Sequence, residues 1–136
     1  MSLRVEKSCG AVIIKDGKVL LAKQKNGIYS FPKGHVEKNE TEIETAVRET
    51  REETGLNVVA SQNWRFTLHY IVDGINTDKE VVLFLAKILG SEDFLRQEEE
   101  IETIEWVDFD DVNNYFHRSA WQKVWSEIRP IAQKIS

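Results

Sequence analysis

Two apolar runs open the chain, SCGAVIIK (Ser8 to Lys15) and VLLAKQ (Val19 to Gln24), joined through Asp16-Gly17. Short runs rich in Val, Ile and Leu read as strands, and an Asp-Gly pair between them suits a tight hairpin. NGIYSFPKG follows, in which Gly27, Pro32 and Gly34 break a short apolar piece, so the pattern predicts a brief strand and then a loop. At Asn39 the period changes. Ile43, Ala46, Val47 and Thr50 recur at helical spacing until Gly55 offers a stop, and either Asn39 with Glu42 or Thr41 with Glu44 can form the reciprocal cap at the start. The apolar face of this predicted helix is narrow, and its other face carries acids.

Strand character returns in LNVVASQNWRFTLHYIV (Leu56 to Val72). A polar turn, DGINTDK, separates it from EVVLFLAKIL (Glu80 to Leu89), whose unbroken apolar run suggests a central strand. An acidic loop, SEDFLRQEEEIET, a short strand, IEWV, and two predicted helices, DFDDVNNYF and SAWQKVWSEIRPIAQKI, complete the chain. The aromatic spacing of the last helix describes a core-facing stripe, and its basic residues offer a surface for dimerisation as the alternative. Interleaved helices and strands predict an α/β (α+β) fold in which a mixed sheet is covered by helices on both faces. Without a repeat or linker, residues 1–136 read as a single domain.

At 136 residues such a chain can bury roughly two thirds of its unfolded surface in one core. The 41% hydrophobic and 30% charged fractions, with four Trp and six Phe, are those of a globular protein and exclude disorder. No apolar run approaches the roughly 20 residues a spanning helix needs, and MSLRVEKSCG lacks the apolar core of a secretory signal, which together predict a cytoplasmic protein. The single Cys9 lies in an apolar strand and reads as a buried, inert thiol. A net charge of −5 leaves little room for a broad electrostatic footprint on nucleic acid, which usually shows as a basic stripe. A polyanionic ligand would therefore need cations between it and the protein.

RETREETGL, residues 48 to 56, crowds Glu49, Glu52 and Glu53 together. Positions three and four apart on a helix are neighbours, about 5–6 Å between Cβ atoms, and like charges there cost roughly 0.2–0.5 kcal/mol per pair. Helix stability does not account for them. A solvated acidic face with an Arg48–Glu52 pair is the bland reading. The sharper one is a site for a hard divalent cation, because Mg²⁺ takes oxygen ligands and is commonly held by one or two carboxylates together with substrate phosphates. The cation would relieve the repulsion that burdens the bare motif.

GHVEKNETEIETAVRETREETGL, Gly34 to Leu56, resembles the Nudix box, GX5EX7REUXEEXGU, with Gly34, Glu40, Arg48, Glu49, Glu52, Glu53, Gly55 and Leu56 in register. Thr50 departs from the pattern, standing where a bulky aliphatic is usual. The resemblance implies a Nudix-type α/β/α sandwich and hydrolysis of a nucleoside diphosphate linked to a further group, with Mg²⁺ or Mn²⁺. Carried onto matching positions, it makes Glu52 and Glu53 metal ligands and Glu49 either a further ligand or the general base. Arg48 matches the arginine that orients the first of these glutamates by charge-assisted hydrogen bonding, and the Gly34 carbonyl completes the metal shell. An acid from the loop before the last strand is also implied: Glu100, with Glu98 and Glu99 as rivals. The bland reading of that acidic run is a solvated loop.

SCGAVI, FPKGHVE, LHYIV, Lys79 before VVLFLAK, and IEWV are together similar to the asymmetrical diadenosine tetraphosphate hydrolases. That likeness implies phosphate contacts from Lys33, His35 and Lys79 and an adenine stacked on Tyr70. Surface lysines, a backbone-satisfied loop histidine and a core-facing strand tyrosine are the respective alternatives. Trp64 and Phe66 offer either an aromatic platform or, more simply, core contacts. The substrate implied first is diadenosine tetraphosphate, cut to ATP and AMP. A house-cleaning (d)NTP pyrophosphohydrolase, a hydrolase of RNA 5′ ends and a non-catalytic nucleotide sensor are the alternatives. The partner is a small-molecule nucleotide, without membrane contact; oligomeric state is left open.

Overall fold

The computed structural model describes residues 4–72, 74–95, 99 and 101–135. Its elements are β1 (Arg4–Lys15), β2 (Lys18–Gln24), β3 (Tyr29–Ser30), β4 (Lys33–His35), α1 (Glu42–Thr54), β5 (Asn57–Val72), β6 (Thr77–Leu89), β7 (Ile101–Asp108), a 3₁₀ helix (Phe109–Asn114) and α2 (Ser119–Ile135). The sheet is mixed. β6 lies between β1, which it joins in parallel from Arg4↔Thr77 to Ile13↔Ala86, and the antiparallel β5. Being paired on both sides explains the unbroken apolar run of β6. On its other side β1 takes β4 through Ser8↔His35, Cys9↔Gly34 and Gly10↔Lys33, and then β2 beyond Ile14. β2 in turn pairs with β3 and β7.

Alternation along the strands sends one set of side chains to each face. Val12, Val81, Leu83, Leu85 and Leu68 meet Trp121, Val124, Trp125 and Ile128 of α2, while Cys9, Val82 and Phe84 meet Ala46 of α1. The expected sandwich of a mixed sheet between two helices is therefore present, and α2 supplies its core with two nearly inaccessible tryptophans, Trp121 and Trp125. Burial pushes the Cys9 thiol up to about 11, so it is a packing residue.

Several local expectations change. Thr41 rather than Asn39 caps α1: its hydroxyl accepts from the Glu44 N–H while the Glu44 carboxylate accepts from the Thr41 N–H. Asn39 instead sits in the left-handed region, at φ 66°. The DFDDVNNYF segment forms a 3₁₀ helix without a side-chain cap. β6 begins inside the predicted turn, at Thr77. Trp64 is not a core residue; it is 41% exposed, because β5 leaves register with β6 between Ala60 and Arg65. Phe66 is partly buried against the core.

Candidate active site

α1 buries more polarity than its sequence suggests. Thr45, Thr50, Glu53 and Thr54 are buried beside Ala46, so one of the three acids lies on the inward side rather than opposite it. The helix stops at Gly55, whose φ of 80° strains any side-chain-bearing residue, and whose N–H bonds to the Arg51 carbonyl at 2.8 Å.

Arg48 organises the acids. Its Nε and Nη2 donate to the two oxygens of Glu40 at 2.7 and 3.0 Å, forming a bidentate pair. Nη1 donates to Glu49 at 2.8 Å and Glu52 at 3.1 Å, and Nη2 also reaches the His35 carbonyl at 2.9 Å. Glu40 further accepts from the Thr45 hydroxyl at 2.6 Å and the Glu37 N–H at 3.2 Å. The Arg48 guanidinium, helped by these donors, holds the Glu40 carboxyl at about 2, and Glu40 in turn leads the rise in the Arg48 pKa. Glu40 thus anchors the arginine from outside the helix, a part the sequence reading left unassigned although the residue was in register.

β4 brings its backbone against this helix. A Cβ on Gly34 would overlap the carboxylate of Glu49, so glycine is what lets that acid lie on the strand. The neighbouring Lys33 N–H donates to Glu53 at 3.4 Å. Glu49, Glu52, Glu53 and the Gly34 carbonyl, the ligands the sequence led us to expect, would offer a cation only oxygen donors, a chemistry that suits Mg²⁺ or Mn²⁺ better than a thiophilic metal. Among the described residues no group of three or more His, Cys, Asp or Glu side chains is placed to hold a metal ion. Arg48 engages two of the acids, and a cation that keeps waters and shares its shell with phosphate does not need such a group. Glu100, the expected loop acid, and its rival Glu98 lie outside the described residues, and the other rival, Glu99, is exposed.

The Lys33 side chain lines a cleft of about 320 Å³, with Tyr29, Tyr70, Lys79, Arg118 and Trp121. Burial pulls the Lys33 ammonium below the ordinary lysine range against the pull of Glu53, with Lys79 adding to the depression and Glu49 opposing it. Its Nζ sits 5.9 Å from the Trp121 ring centroid. Tyr70 packs beside Trp121 at 6.4 Å between centroids and carries the Arg118 guanidinium 4.5 Å above its ring. Three of the four expected substrate residues, Lys33, Tyr70 and Lys79, therefore share the cleft. His35 does not line it; exposed, it lies 3.6 Å from Glu6, which also holds Lys79 at 3.5 Å. Glu6 was missed because its place depends on the parallel register Glu6↔Lys79, which no local pattern announces. Arg118 was missed because it precedes α2 without a motif of its own.

The NUDIX domain family model matches residues 6–127. The chain belongs to the Nudix family. Nudix hydrolases generally depend on divalent cations and act on small nucleotide substrates. This Nudix chain is 32% identical over 97 residues to the asymmetrical bis(5′-nucleosyl)-tetraphosphatase of Rattus norvegicus, an alignment covering 68% of the chain and 65% of the rat protein. It is 33% identical over 115 residues to the NAD-capped RNA hydrolase NudC of Pseudomonas aeruginosa, covering 79% of the chain and 37% of that relative. The chain thus spans just under two thirds of the first and little more than a third of the second. Among solved structures, a C. elegans Ap4A hydrolase in a binary complex superposes with a TM-score of 0.83 at 24% identity, over 95% of this chain and 98% of that one, a likeness of fold.

Proposed function

We propose that this Nudix domain is a Mg²⁺-dependent pyrophosphohydrolase whose leading substrate is diadenosine tetraphosphate, cleaved to ATP and AMP. One observation carries the reading: residue 33 touches both halves of the site, its N–H reaching Glu53 while its side chain enters the cationic, aromatic cleft. A polyphosphate lying along β4 would have its scissile bond beside the glutamates and a nucleoside end in the cleft. The likeness to the rat enzyme supports the choice of substrate.

The residues divide the work. Glu49, Glu52 and Glu53, with the Gly34 carbonyl and the loop acid Glu100, would hold the cation. Bound there, Mg²⁺ supplies charge neutralisation of the phosphates and acidification of water. Arg48 fixes Glu49 and Glu52 in place, and Glu49 takes the proton of the attacking water, a general-base role worth about 10²–10⁴-fold. Lys33 and Lys79 bind phosphate oxygens in the cleft, His35 meets them from its exposed edge, and adenine lies beside Tyr70 and Trp121, each of which has one ring face taken by a cation. Phosphoryl transfer depends mainly on such positioning and on electrostatic stabilisation.

Incubation with Mg²⁺ in H₂¹⁸O against diadenosine tetraphosphate, nucleoside triphosphates, ADP-ribose and NAD-capped RNA tests this. Consumption of the tetraphosphate foremost, with ¹⁸O in a single product phosphate, is the expected result. Preference for NAD-capped RNA would favour the reading that the Pseudomonas relative suggests. Indifference to Mg²⁺ would end the hydrolase proposal.

A further inference from the structure

Two cations in the cleft are held in an unusual way. Lys33 and Arg118 have no carboxylate within 4 Å among the described residues; each rests on an aromatic ring instead, Lys33 on Trp121 and Arg118 on Tyr70. The two rings adjoin at 6.4 Å, so the order across the cleft wall is Lys33, Trp121, Tyr70, Arg118. A guanidinium lying over an aromatic face is attracted by the ring quadrupole, yet its N–H donors are not consumed by that contact. Lys79 differs, since Glu6 already engages it. The far wall of the cleft therefore presents positive charge with unspent donors, in a chain whose net charge is −5.

Taking the hydrolase reading above as its basis, we infer that Arg118 is a specificity-determining residue that reads phosphate-chain length: it engages a phosphate beyond the two flanking the bond that is cut. The glutamates and their cation serve the phosphates at the reacting end, where Lys33 joins the two regions. A diphosphate-linked substrate ends near that junction and gains nothing from Arg118. A longer chain reaches the guanidinium, whose planar fork matches phosphate oxygens. Tyr70 then acts as the support that orders this arginine in advance, which lowers the entropic cost of the contact.

Calorimetric titration of the protein in Mg²⁺ with inorganic pyrophosphate and with inorganic tripolyphosphate tests the inference without relying on turnover. The wild type should bind tripolyphosphate on the order of 10-fold more tightly than pyrophosphate, and Arg118→Ala should cut that ratio to about twofold with pyrophosphate affinity nearly unchanged. Arg118→Lys should recover part of the ratio, and Tyr70→Leu should lower it while leaving the arginine in place. Because Arg118 is exposed, the variant keeps the core intact, which its thermal melt verifies. An unchanged ratio in Arg118→Ala, or an equal loss for both anions, overturns the assignment of Arg118. Failure of the wild type to bind either anion in Mg²⁺ overturns the hydrolase reading on which it rests.

Discussion

Glu40→Gln probes whether the glutamates of α1 are held in place from outside the helix. Glu40 makes a bidentate contact with Arg48, and its carboxyl is held at about 2 rather than 4.5. A depression of that size corresponds to about 3 kcal/mol at neutral pH. The two side chains are 14% and 24% exposed, and solvent screening reduces the net contribution to about 1–2 kcal/mol. Because the folded pKa is the lower one, the stabilisation is complete above the unfolded value near 4.5 and is lost as pH falls through about 2. Roughly 40% of it should survive at pH 3. Urea unfolding of wild type and Glu40→Gln at pH 7, 3 and 2 measures this, and the difference between the two proteins cancels other carboxylates. The variant should be about 1–2 kcal/mol less stable at pH 7 and indistinguishable below pH 2. Loosening Arg48 also loosens Glu49 and Glu52, so turnover should drop about 10-fold with little change in KM. Equal stability at pH 7, or a deficit that stays constant with pH, would refute the anchoring role.

Thr50 is fully buried, and its hydroxyl has no hydrogen-bond partner among the described residues. Thr50→Val should therefore stabilise the protein by about 1 kcal/mol in urea unfolding, since it removes an unsatisfied polar atom at nearly constant volume. Gly34→Ala places a methyl where the Glu49 carboxylate lies, and kcat should fall about 10–100-fold while tetraphosphate affinity changes little. Wild-type turnover in that variant would mean that Glu49 has no catalytic need of its position on β4. In Glu53→Gln, turnover should drop on the order of 10²-fold, and the rise in Tm produced by Mg²⁺ with a nonhydrolysable dinucleotide should shrink.

The glutamate helix was legible because its residues are close in sequence: the i,i+3 and i,i+4 spacing, the Thr41–Glu44 cap and the Gly55 stop are all local signals, and α1 spans Glu42–Thr54 between them. The continuous apolar run of β6 likewise announced a central strand. What stayed hidden depends on contacts distant along the chain. Glu6 meets Lys79 only through parallel pairing, and Arg118 meets Tyr70 only when α2 lies across the sheet. Trp64 misled for a related reason, because hydrophobicity alone does not show that a strand will leave its register. The inward turn of Glu53 was obscured by reading the helix as one apolar and one acidic side.

The short strand β4 is clamped to β1 over only Lys33, Gly34 and His35. Successive side chains on a strand alternate in direction, so the main chain there can serve the reaction while the side chain of residue 33 serves recognition. On the proposed hydrolase function, changes in the lining of the cleft would retune which nucleotide is accepted while the glutamate side stays as it is. A single protein scaffold divided along so narrow a seam can diversify its diet without reinventing its teeth.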